Sequence, residues 1–172
     1  VYSTVRHLAI ILVSLYAPLQ TNAYAQIHGA GDGFVALRGG ANLVGNTYRV
    51  RERKPEPGGG GSLGMFLSRS WALEFETWLR ASNPAACCAD RHREALYSVS
   101  VVRYLAGGGL QPYMVGGLTL LQASASELQV QVGVGAQFPL AGRLGMSIDL
   151  RGNGGGSTMI VRPTAALIYY FR

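Results

Sequence analysis

The chain has 172 residues, of which 48% are hydrophobic, only 14% are charged and 24 are glycine, with a formal net charge of +6. This balance does not suit a disordered chain, and the length suits one domain. Lys54 is the only lysine, and several arginines fall inside strand-patterned segments instead of forming a surface stripe, which argues against nucleic acid as a partner.

The N-terminal stretch reads as an export signal. Arg6 and His7 precede an apolar run from Leu8 to Leu15, and Ala23-Tyr24-Ala25 is a small-x-small cleavage site. That run is shorter than the roughly 20 apolar residues of a spanning helix, and Pro18 interrupts the stretch beyond it. Residues 1–25 are therefore expected to be a signal peptide and 26–172 a single barrel domain.

Eight segments then carry an apolar pattern of period two, each near the roughly 9 to 11 residues that a tilted membrane strand requires. In chain order they are Gly33 to Val44, Ser62 to Arg69, Trp71 to Ala81, Ala95 to Leu105, Leu110 to Leu121, Glu127 to Phe138, Arg143 to Arg151 and Thr158 to Phe171. Tight connections fall near Ser70, at Ala106 to Gly109 and at Pro139 to Gly142. Longer or more polar ones fall at Gly45 to Gly61, Ser82 to Glu94, Gln122 to Ser126 and Gly152 to Ser157. An even strand count with short turns on one rim and long loops on the other is the arrangement of bacterial outer-membrane barrels. The last segment ends on an aromatic strand, which in a soluble domain would be a sticky edge and in a closed barrel would be paired. The expected fold class is all-β: an eight-stranded antiparallel up-and-down transmembrane β-barrel.

The charges sort onto one face of each strand. Leu144, Met146, Ile148 and Leu150 oppose Arg143, Ser147, Asp149 and Arg151; Leu73, Phe75 and Leu79 oppose Glu74, Glu76 and Arg80. With the polar face outside, these would be soluble strands around an apolar core. With it inside, Arg38, Glu74, Glu76, Arg80, Arg143, Asp149, Arg151 and Arg162 would form an ion-pair network in the lumen. The export signal, the aromatic last strand and the loop asymmetry favour the second arrangement.

Gln111 to Gly117, Gln131 to Gly135 and Gly142 to Arg151 resemble the small eight-stranded outer-membrane barrels, the OmpA/OmpX-like group whose interiors are filled by side chains. The resemblance spans residues 26–172. It implies residence in the outer membrane of a Gram-negative bacterium and an assembly signal at Leu167, Tyr169 and Phe171, read by the barrel-insertion machinery. Arg172, following the terminal aromatic, departs from the pattern. The resemblance further implies a non-enzymatic structural or surface role in envelope integrity, adhesion or contact with host surface molecules. A narrow pore for small solutes or ions is the alternative, and a soluble lipocalin-like periplasmic carrier a lesser one.

Several other groups bear on chemistry. Paired carboxylates such as Glu74 and Glu76 can serve acid-base catalysis, but buried charges also require partners simply to fill a lumen. His28 and His92 lie outside the strands, no His, Ser and acid share neighbouring strand positions, and no metal-ligand or cofactor motif is present. Adjacent Cys87 and Cys88, in an oxidising compartment, are a candidate disulfide with each other, a point of pairing with another chain or a site of lipid-like modification. Arg49, Arg51, Arg53 and Lys54 crowd the first long loop, where they are either a lipopolysaccharide contact or an ordinary solvated cluster. Gly58 to Gly61 reads as a flexible tract. Trp71, Trp78, Tyr104, Tyr113, Tyr169, Tyr170 and Phe171 include candidates for interfacial aromatic girdles.

Overall fold

The computed structural model describes residues 28–46, 55–80, 94–105, 109–122, 126–155 and 158–172. Eight strands form: β1 (Gly33–Asn46), β2 (Glu56–Phe66), β3 (Trp71–Arg80), β4 (Ala95–Tyr104), β5 (Gln111–Gln122), β6 (Ser126–Ala141), β7 (Leu144–Gly155) and β8 (Thr158–Phe171). Each pairs antiparallel with its neighbours in chain order, and β8 returns to β1 to close the barrel. Closure sets Phe34 opposite Tyr170 and Leu37 opposite Leu167. The β1–β8 ladder is interrupted between Gly40–Thr164 and Leu43–Val161, where Pro163 has no N–H to donate.

Several boundaries differ from the sequence expectation. The glycine tract Gly58–Gly61, expected to be flexible, lies inside β2 and pairs with both β1 and β3. The reason is space: a Cβ on Gly58 would stand 2.6 Å from the indole Nε1 of Trp78, so the absence of side chains admits a tryptophan across the lumen. β6 continues through Pro139 to Ala141, with a register irregularity there, and turns at Gly142 and Arg143; Gly142 has a φ of 55°, which favours glycine. β7 runs on to Gly155, so Gly152–Gly155 are strand and not loop. The expected signal peptide, the Arg49, Arg51, Arg53 and Lys54 cluster, Cys87, Cys88 and His92 lie outside the described residues.

Side-chain parity decides which face is inside. Leu37 is 72% exposed, Leu128 64% and Val132 61%, and similar aliphatic residues cover the outer face of every strand. Glu74, Glu76, Arg151 and Arg162 are at most 2% exposed. A soluble barrel would reverse this, since a soluble monomer rarely exposes an apolar patch beyond a few hundred Å². The outer face is built for lipid, and closure leaves no unpaired strand edge within it.

Candidate functional site in the barrel lumen

The lumen is filled in layers. At the short-turn mouth, Phe34, Phe66, Val102, Tyr113, Val115, Ile168 and Tyr170 form an apolar cluster with Tyr104 packed against it. The chain before β1 closes beneath them. The Gly31 and Phe66 amides donate to the carbonyls of Phe66 and Asp32, both at 2.8 Å, and the His28 ring lies 4.3 Å from Phe66 and 4.2 Å from Tyr170. Burial against these rings holds the His28 pKa below its ordinary value, although nearby Asp32 pulls it upward.

Above this cap lies the ionic layer. Arg38 Nη1 donates to Asp149 Oδ2 at 2.8 Å, Arg38 Nη2 to Glu74, and Arg38 Nε to Ser62 Oγ at 3.3 Å. Arg151 donates to Glu76 Oε2 at 2.7 Å and Glu74 Oε2 at 3.0 Å, while Arg162 Nη1 donates to Glu76 Oε1 at 2.7 Å. Asp149 also accepts from the Tyr113 hydroxyl at 2.6 Å and from Thr164. These six ionic side chains come from β1, β3, β7 and β8, so the layer fastens strands across the barrel. Such interior charges are tolerable because each has an opposite partner and hydrogen bonds.

Toward the long-loop end, Trp78, Leu96, Leu121 and Ile160 form a second apolar cluster. The Trp78 indole N–H donates to Asn42 Oδ1 at 3.0 Å, and the Arg162 guanidinium sits 5.1 Å from the Trp78 ring centroid. The space remaining beside Arg38, Glu74, Tyr113 and Arg151 is about 10 Å³, room for about one water molecule.

Comparison with solved structures gives the same architecture. Neisserial surface protein A matches with a TM-score of 0.65 at 13% identity, over 82% of this chain and 99% of that one. Ail, the attachment invasion locus protein of Yersinia pestis, matches with a TM-score of 0.62 at 12% identity, over 83% and 99%. The N-terminal β-barrel domain of OprF from Pseudomonas aeruginosa matches with 0.59 at 15% identity, over 84% and 100%. The fold is that of a small outer-membrane β-barrel. No family model and no curated protein sequence matches the chain.

The eight residues expected in the lumen of this barrel do not all meet. Arg38, Glu74, Glu76, Asp149, Arg151 and Arg162 interlock through the pairs above. Arg80 faces inward but stands apart at the long-loop rim, bonded to Glu56 and Glu94. Arg143 is not in the lumen at all: it occupies the β6–β7 turn and is exposed, because the strand begins one residue later. Leu167, Tyr169 and Phe171 share the outward face of β8, between the inward Ile168 and Tyr170.

The aromatic residues divide differently from a simple girdle. Trp71, Tyr169 and Phe171 point outward at the short-turn rim, whereas Trp78, Tyr113 and Tyr170 are buried in the lumen, with Tyr104 packed beside Tyr113 and Tyr170. The signal was present: Trp78 has the same parity as Glu74 and Glu76, and Tyr170 the same as Arg162 and Thr164. Aromatic residues fit both a lipid interface and a packed plug, so only parity separates the two.

Proposed function

We propose that this protein is an integral outer-membrane barrel of a Gram-negative envelope with a non-enzymatic structural or surface role, exercised through its outer face and loops and not through its lumen. The observation that carries this reading is the filled interior. Among the described residues, the cavity beside the ionic layer holds about 10 Å³, between two apolar layers. A permanent pore needs a continuous wet path, and here the path crosses a cap of stacked rings and a set of interlocked guanidinium–carboxylate pairs. The same pairs favour a non-catalytic role for the carboxylates: Glu74, Glu76 and Asp149 each accept from at least one arginine, which removes the free acid or base that hydrolysis requires.

Export by residues 1–25, insertion through a signal at Leu167, Tyr169 and Phe171, lipopolysaccharide contact by Arg49, Arg51, Arg53 and Lys54, and host-surface binding by the long loops belong to this proposal. Cys87 and Cys88 would form a disulfide within one of those loops. Planar-bilayer recording tests the reading: the purified barrel should give no steady, reproducible openings. A constant unitary conductance would overturn it in favour of the narrow pore. Replacing Arg49, Arg51, Arg53 and Lys54 with serine should weaken lipopolysaccharide binding, and unchanged affinity would remove that partner.

A further inference from the structure

The short-turn rim carries a charge imbalance that the lumen network does not use. Arg69 lies in the β2–β3 turn, Arg103 near the end of β4, Arg143 in the β6–β7 turn and Arg172 just beyond β8, and all four are exposed. Among the described residues this rim holds one acid, Asp32. Its Oδ2 accepts the Gly29 amide at 2.8 Å, and its Oδ1 lies 3.7 Å from Arg172 Nε. Arg69, Arg103 and Arg143 have no ion-pair partner among the described residues.

Arg103 is the most informative of these. Its ladder partners are Trp71 on β3 and Met114 on β5, both on the outward face, 40% and 51% exposed. Its guanidinium carbon stands 5.1 Å from the Trp71 ring centroid. The Tyr104 amide donates to the Ser70 carbonyl at 2.9 Å, which holds this end of β4 beside the turn bearing Arg69. Arg103 and an outward tryptophan therefore meet where the apolar band gives way to the rim, beside the turn that carries Arg69. A cation next to lipid extends toward the headgroups and needs a counter-ion there, and a guanidinium fork matches a phosphate.

We propose that the short-turn rim binds the headgroup phosphates of anionic phospholipids, with Arg69, Trp71 and Arg103 forming one defined contact. This rests on the membrane-spanning reading of the barrel. The rim then selects the lipids of its own leaflet, on the side opposite the long loops.

Trp71 supplies the test. The full protein is reconstituted in phosphatidylcholine bilayers containing a fixed minor fraction of lipid brominated high on the acyl chain, either phosphatidylglycerol or phosphatidylcholine. Outward Trp71 is accessible to the quencher, whereas Trp78, the other tryptophan, is enclosed in the lumen. Brominated phosphatidylglycerol should quench about two- to fivefold more strongly than the zwitterionic lipid. The ratio should fall toward one in Arg69→Gln/Arg103→Gln and stay high in Arg143→Gln, which lies across the barrel from Trp71. Equal quenching by the two lipids in the wild-type protein would overturn the proposal while leaving the membrane reading intact. Quenching by neither lipid would overturn both.

Discussion

Glu76→Ala should be among the most damaging single substitutions in the barrel. Glu76 is 2% exposed and takes Arg162 Nη1 on one oxygen and Arg151 Nη1 on the other, each at 2.7 Å. Arg151 retains Glu74 and Asp149, but Arg162 has no other carboxylate partner among the described residues, and its Nε and Nη2 already lack one. Removing one member of a buried pair costs about 3–5 kcal/mol, because the remaining charge stays buried. Arg162→Met alone should cost less, about 1.5–3 kcal/mol, since Glu76 keeps Arg151. Introduced on top of Glu76→Ala, Arg162→Met should raise stability, giving a coupling that exceeds the cost of Arg162→Met alone and so is at least about 1.5 kcal/mol. Urea unfolding in detergent micelles would measure this, with Trp78 emission as an adjacent reporter because Arg162 lies against its ring. A loss under about 0.5 kcal/mol for Glu76→Ala, or a further loss on adding Arg162→Met, would refute the interlocked-charge argument.

Three further outcomes are expected. Val132→Arg places a charge midway along the outer face of β6, where Val132 is 61% exposed; it should cost about 2–4 kcal/mol in bilayers, and an unchanged folding yield in lipid would mean that water covers that face. Gly135→Val should lower the unfolding midpoint by forcing apart Tyr113 and Asp149, whose atoms lie 2.6 Å from where its Cβ would stand, a cost of about 1–3 kcal/mol; wild-type urea unfolding would contradict the packing described. His28 has a native pKa below its ordinary value of about 6.5. As pH falls through 6.5 the unfolded chain therefore binds the proton first, and its contribution, full above that pH, is lost as acidity increases. His28→Phe should flatten the fall in stability below pH 6.5, measured as unfolding midpoint against pH, and an unaltered slope would exclude His28 as its source.

Strand parity made most of this fold legible in the sequence. Acidic and basic residues at one parity with aliphatic residues at the other gave the strands, their order and the inward face of Glu74, Glu76, Asp149 and Arg151, because period two is a property of the extended backbone itself. What parity could not give was the content of the plug. A glycine run carries no side-chain pattern, so Gly58–Gly61 resembled a linker until the bulk of Trp78 opposite explained it. Arg143 matched the charged parity of β7 but fell in a turn, where parity loses its meaning. Arg80 kept its inward face but found Glu56, a residue expected in a loop, because β2 starts six residues earlier than its apolar pattern does. Partner choice among arginines and acids depends on stagger between strands, which one strand's sequence does not contain.

Both the lumen network and the rim contacts depend on a closed barrel with a lipid-facing exterior. Envelope fractionation followed by SDS electrophoresis, with and without boiling, tests it most directly. The protein should sediment with the outer membrane, and the unboiled sample should migrate differently from the boiled one, because a closed ladder resists detergent until heated. Recovery in the soluble periplasm with identical mobility in both samples would contradict it.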